Sequence, residues 1–168
     1  LLAAIRAEGR EIKVASFGWS ADHEVVKALV ERAKAGVQVT VFARPRVAAM
    51  PALIALQEAG ANVLGFEFLH AKAIWTSTGQ AVMMSANLEP HGLDSGFELG
   101  VLLGVQERDA LKKIFEEWEQ TAEWQLFAKT TIGRVSGKVR LWKDRRLVDD
   151  EVLTTARATA PRREVASA

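Results

Sequence analysis

In "HEVVKALVERAKAG" (23–36), Val26, Leu29, Val30 and Ala33 recur at helical spacing, and the run closes in Gly36, a residue suited to the position just past a helix end. "VQVTVFA" (37–43) alternates, is rich in β-branched residues and reads as a strand. "AAMPALIALQEAG" (48–60) is a second short helix closed by glycine, and "NVLGFEF" (62–68) a further strand. With the strand "EIKVASFGW" (11–19) in front, the order is β-α-β-α-β with connections of about two to six residues. That order predicts parallel pairing, with right-handed crossovers placing helices on the faces of the sheet.

After residue 68 the rhythm changes. "HAKAIWTS" and "QAVMMSAN", joined by a Thr-Gly turn, predict a hairpin. "GFELGVLLG" (96–104) is almost continuously apolar, the mark of a central strand. "QERDALKKIFEEWEQTAEW" (106–124) sets Leu111, Ile114, Phe115, Trp118 and Ala122 along one helical stripe. Two short strands are expected within 131–152, and the small, polar, basic remainder is expected to be mobile unless something docks on it. "LLAAIRAEGR" reads as the last turns of a helix. With Leu in first position, it leads us to expect a piece of a longer protein. The expected class is α/β: a mixed, mostly parallel β-sheet flanked by helices on both faces.

Composition changes this picture little. Of 168 residues, 49% are apolar and 26% charged, which suits a globular chain with a core. The absence of cysteine excludes disulfides and thiolate metal sites, and an all-histidine zinc site would need His23, His70 and His91 all to converge. No metal is therefore expected. No apolar run reaches the roughly 18–20 residues of a membrane span, and no signal-peptide pattern is present. The expectation is a chain without a transmembrane segment, with a cytoplasmic location favoured. Charge matters more. Residues 1–128 hold 12 Lys/Arg and 16 Asp/Glu, for −4; residues 129–168 hold 10 and 5, for +5. The basic end could attract phosphate polymers or anionic lipid, and its plainer reading is a solvated tail.

The chemistry gathers in "FLHAKAIWTSTGQAVMMSAN" (68–87). Residues i and i+2 on a strand share a face, so His70 and Lys72 point the same way, as do Ser85 and Asn87. A hairpin can bring both pairs to one end of the sheet. An imidazole, an ammonium, a hydroxyl and an amide converging there suit an anion with several oxygens, such as a phosphoryl group. Glu98 stands in the following apolar strand, where a carboxylate needs a partner, and a histidine is the obvious one.

With these residues the chain resembles the phospholipase D superfamily, whose HKD signature is His-x-Lys, four residues, Asp, six residues, Gly-Ser/Gly-x-Asn. Here the run is His70-Ala71-Lys72, Ser77, then Met84-Ser85-Ala86-Asn87, and Glu98 matches the family's downstream glutamate. The likeness covers roughly residues 1–125, including the prelude "ALVERAKAGVQVTVFARP". Ser77 stands where the family has aspartate, a position that mostly supports local structure there. Met84 stands at the first glycine and would fill room that glycine leaves for substrate.

The resemblance implies a phospholipase D-like α/β/α sandwich. It divides the chain into a catalytic domain at 1–128, one HKD half, and a basic extension at 129–168. It implies metal-independent phosphodiester hydrolysis without a cofactor, through a phosphohistidine. In the family one site is built from two His-Lys-Asn sets. One histidine attacks phosphorus, and the other protonates the leaving oxygen and then activates water or an alcohol, while lysines and asparagines hold the non-bridging oxygens. The implied catalytic residues are His70, Lys72, Asn87 and Glu98, with Lys72, Ser85 and Asn87 binding phosphate. The missing set would come from the same longer chain, where His70 is the general acid if its set is the C-terminal one, or from a homodimer mate, one copy then taking each role. The expected role is nuclease-like or general phosphodiester hydrolysis, with a cardiolipin-synthase-like phosphatidyltransferase or phospholipase D second, and a catalytically idle phosphate- or nucleic-acid-binding module third.

The remaining candidates have plainer readings. His91 is expected to face solvent from a loop and His23 to sit in the first turn of a helix. Trp19, Trp75, Trp118, Trp124 and Trp142 are expected to pack.

Overall fold

The computed structural model describes residues 1–129, 134–137, 142–143 and 146–147. The expected β-α-β-α-β unit forms as β1 (Glu11–Ser16), α2 (Glu24–Lys34), β2 (Gln38–Ala43), α3 (Met50–Glu58) and β3 (Asn62–Gly65), preceded by α1 (Leu2–Ala7). The hairpin is β4 (Ala73–Thr76) and β5 (Ala81–Met84), turning at Gly79 with φ +111°, a conformation that favours glycine. Then follow α4 (Pro90–Leu93), β6 (Gly100–Leu102), α5 (Val105–Thr121), β7 (Trp124–Lys129) and β8 (Arg134–Gly137), with β9 (Trp142–Lys143) and β10 (Arg146–Leu147) as a separate ribbon.

One eight-stranded sheet runs in the order β6-β5-β4-β1-β2-β3-β7-β8. The mixed α/β class holds. Parallel pairing is confined to β1–β2 and β2–β3, and the other pairs are antiparallel. The physical reason is that β1, β2 and β3 are neighbours joined by helical crossovers, whereas the loop after β3, the hairpin turn and the connection to β6 each reverse the chain, and α5 then crosses the sheet to set β7 beside β3 in the opposite direction. β7 was not expected from the sequence, since the helical stripe before it reads on to Trp124.

β1 shows how the two layers arise. Ile12 and Val14 enter a core with Val26, Leu29, Val41 and Leu56. Ala15 faces the other way, into a core with Phe42, Trp75, Leu111 and Phe115. The first layer is covered by α1, α2 and α3 and the second by α5, so helices flank both faces. The α5 stripe docks through Leu111 and Phe115, and Phe115 stacks on Phe42 with centroids 5.0 Å apart. Lys13, on the α5 side of β1, is buried and bonds Glu119 of α5 and Glu11. Burial pulls the Lys13 pKa down, but its bonds to Glu119 and Glu11 outweigh this and raise it.

The apolar run at 96–104 is not a central strand. Only Gly100–Leu102 pairs, with β5, and it forms the sheet's edge. Phe97, Leu99, Val101, Leu102 and Val105 are all exposed. A continuous apolar run reports surface that avoids water, and here nothing within the described residues covers it. Where two short strands are expected within 131–152, the described residues hold three, β8, β9 and β10; residues 148–168, including the expected mobile tail, lie outside the described residues.

The loop after α1 carries a fully buried carboxylate, Glu8. It accepts hydrogen bonds from Ser77 Oγ (2.7 Å), Thr78 N (2.8 Å) and Arg10 N (2.8 Å), and so ties the α1–β1 connection to the hairpin tip. Burial pushes this carboxyl up, yet the bonds from Ser77, Arg10 and Thr78 prevail and hold it at about 2. A carboxyl lowered on folding contributes stability above its unfolded pKa, and loses it as pH falls from about 4.5 towards 2. Glu8→Gln is expected to cost on the order of 1–3 kcal/mol at neutral pH. It should also flatten the acid limb of a plot of unfolding free energy against pH; an unchanged limb would refute the assignment.

Candidate active site

The strand order brings four chain segments to one rim. β4 runs antiparallel to β1 with Ala15 opposite Ala73, so the residues before β4 lie beside those after β1. β5 returns with Met83 opposite Ala73, which carries Ser85 to the same rim. β2 ends there too, and delivers Arg44 and Arg46. This is the carboxyl edge of the parallel strands, where ligands of open α/β sheets bind.

His70 and Lys72 lie in the extended segment entering β4. Lys72 Nζ is 3.2 Å from each ring nitrogen of His70, so the two share a face as their spacing predicts. The His70 ring leans on Phe17, with centroids 5.1 Å apart and planes at 57°. Partial burial pulls the Lys72 pKa down, and the negative charge of Glu98 opposes this only in part.

Ser85 and Glu98 also meet. Ser85 Oγ donates to the Glu98 carboxylate and accepts the Leu99 N–H at 2.9 Å. The histidine expected as partner of Glu98 is replaced by this serine. The cause is that Glu98 precedes the short edge strand and is exposed, beside the end of β5. His70, Lys72 and Ser85 line one open groove, whose apolar wall is Met83, Met84, Leu103, Ile114 and Trp118. Met84, at the family's glycine position, is thus part of that wall.

Asn87 is held apart from this groove by its own bonds. Its Oδ1 accepts the Gly18 N–H at 3.2 Å, and its Nδ2 donates to Glu89 Oε1 at 3.2 Å. An amide nitrogen has two hydrogens, so one donor remains. A Cβ at Gly18 would come 2.5 Å from Glu89 Oε1, so that carboxylate would have to move. Gly92 is required, since its Cβ would come 2.3 Å from the Asn87 backbone carbonyl oxygen. Ser77 lies far along the hairpin, bonded to Glu8, and serves the local structure.

His91 is exposed on α4. His23 caps α2: its Nδ1 accepts the Val25 N–H at 3.2 Å, and its Nε2 lies 3.3 Å from Asp94. Trp19 and Trp75 are buried, and Trp118 packs on Phe42, Phe66 and Phe115. Trp124 packs against the first core, and the Trp142 side chain lies outside the described residues. Among the described residues, no three His, Asp or Glu side chains gather as metal ligands would. Sequence reasoning missed Phe17, Gly18, Arg44, Arg46 and Glu89. The only signal was position: the first four closely follow β1 or β2.

This fold is found in solved structures. One is a phospholipase D family member, Nuc from Salmonella typhimurium, at a TM-score of 0.64 and 18% identity over 72% of this chain and 85% of that one. NucT from Helicobacter pylori gives 0.61 and 12%, over 72% and 86%. TrmBL2, an archaeal chromatin protein whose structure shows a mode of DNA binding, gives 0.53 and 14%, over 72% and 47%. The chain therefore has the fold of phospholipase D family structures. No protein-family model and no curated protein matches it.

Because Glu98 opposes the effect of burial on Lys72, Glu98→Gln is expected to lower the Lys72 pKa further. Titration of its side-chain nitrogen by NMR checks this; an unchanged or raised value would contradict the coupling.

Proposed function

We propose that the chain is a metal-independent phosphodiesterase of the phospholipase D kind, with residues 1–128 as its catalytic unit. The observation that carries this reading is the contact of His70 with Lys72 at the carboxyl rim of a phospholipase D-like sheet. In the proposed reaction an imidazole nitrogen attacks phosphorus and displaces the alkoxide. A second histidine gives that alkoxide its proton. The same histidine then takes a proton from water, which attacks the phosphohistidine and frees the first imidazole. Lys72 holds the non-bridging oxygens as charge shifts. Ser85 fixes Glu98, whose charge favours the ammonium form of Lys72.

The second histidine comes from another half, in the same longer protein or in a homodimer mate. The exposed apolar edge around β6 is the surface such a half would cover. If a dimer forms there, Val101→Asp is expected to shift sedimentation from dimer to monomer.

Nucleic acid is the preferred substrate. Nuc and NucT share the fold, and TrmBL2, which also shares it, is a DNA-binding protein. The apolar groove wall beside His70 favours a second reading, a phospholipid whose acyl chains lie along Met83, Met84 and Ile114. Incubation in EDTA with single-stranded DNA, RNA and a phosphatidyl lipid separates them. Turnover of nucleic acid that survives chelation and falls by several orders of magnitude in His70→Asn is the expected result. Lipid turnover alone would select the second reading. Binding without turnover, in the full-length protein, would make the chain an idle module.

A further inference from the structure

Phe17 gathers more than His70. The Arg46 guanidinium lies 4.3 Å from the centre of its ring, the Arg44 guanidinium 5.7 Å and Lys72 Nζ 5.9 Å. The three cations are thus within twice the largest of these distances of one another. Lys72 is the only Lys or Arg between residues 47 and 107, and residues 1–128 carry a net charge of −4. The concentration of positive charge at this rim therefore runs against the balance of the chain. Neither arginine has a carboxylate partner among the described residues; the ion pairs there belong to Lys13, His23, Arg108 and Lys112. Arg44 also lies 6.0 Å from the ring of Phe68, which is 80% exposed two residues before His70. Among the described residues, no packing role explains this exposed phenylalanine on a polar rim.

We propose that Arg44 and Arg46, held on Phe17, form a second phosphate subsite beside His70 and Lys72, with Phe68 as a stacking platform for the adjoining base. The ligand is a single-stranded polynucleotide, which alone presents both a neighbouring phosphate and an unpaired base within that span. This rests on the phosphodiesterase reading for the scissile phosphate, but the subsite itself is defined by binding. A guanidinium fits it better than an ammonium because it can stack on Phe17 while its N–H groups engage phosphate oxygens.

The test is fluorescence anisotropy of a labelled short oligothymidylate with the full chain in EDTA, over a range of salt. Arg44→Gln with Arg46→Gln is expected to weaken binding and to reduce the slope of log K against log salt by about 0.7 for each phosphate no longer neutralised. Phe68→Ala is expected to weaken binding about fivefold or more with the slope kept. Arg44→Lys with Arg46→Lys should keep the slope, and matched thermal melting establishes that each variant is folded. Folded variants that bind with wild-type affinity and slope would overturn the subsite. If wild type cleaves the oligonucleotide while these variants bind like it, the subsite fails and the enzyme reading stands. If wild type binds as described but never cleaves, the subsite stands and the enzyme reading fails.

Discussion

Burial of β1 on both faces is the constraint on which the structure depends. Ile12 and Val14 fill one layer while Ala15 fills the other, and β1 pairs with β2 on one side and β4 on the other. A strand placed so cannot slip by one residue, because a slip would exchange its two faces and send Lys13 into the wrong core. The buried Lys13 adds a specific condition. Its ammonium must meet Glu119 of α5, so the ion pair selects one seating of that helix among those its apolar stripe would allow.

The site inherits this rigidity. Phe17 and Gly18 directly follow β1, and each organises a different side chain of the rim. Phe17 carries the His70 ring and its neighbouring cations. Gly18 anchors Asn87 by its N–H and leaves room for Glu89 because it has no Cβ. The polar groups of the rim are thus oriented by one backbone end and by bonds among themselves. Glu8 plays the matching part at the other end of the hairpin. Its carboxylate fixes Ser77 and Thr78, so the turn between β4 and β5 is tied to the α1–β1 connection. Ser77 suits that arrangement physically: its hydroxyl can donate to a carboxylate, whereas an ionised aspartate there would meet Glu8 as a like charge.

The groove and the edge beside it give the rim two characters. Its cationic side, at Phe17, suits phosphate oxygens. Its other side is apolar, from Met83 to Ile114, and continues to the uncovered strand β6. Covering that edge would take apolar surface from water and lower the dielectric around His70 and Lys72, which strengthens any charge interaction at the rim. On the proposed two-half reading, completion of the site and burial of the edge are one event.

The chain's local patterns determined its local structure. The 3.6-residue spacing of Val26, Leu29 and Ala33, the alternation in 37–43, and the glycines at 36, 60 and 79 each report which residues near one another in sequence face the same way. So does the His-x-Lys pair, whose side chains meet although both residues stand just before β4. The partnerships across the chain were decided only by tertiary structure. Glu98 meets Ser85, Asn87 is anchored on Gly18, and Arg44 and Arg46 come to Lys72, because β4 inserts beside β1 on the side away from β2. No local period encodes that strand order. Nor can a continuous apolar run such as 96–104 tell a centre strand from an edge strand: both shun water, and only the assembled sheet shows whether the cover lies within the chain.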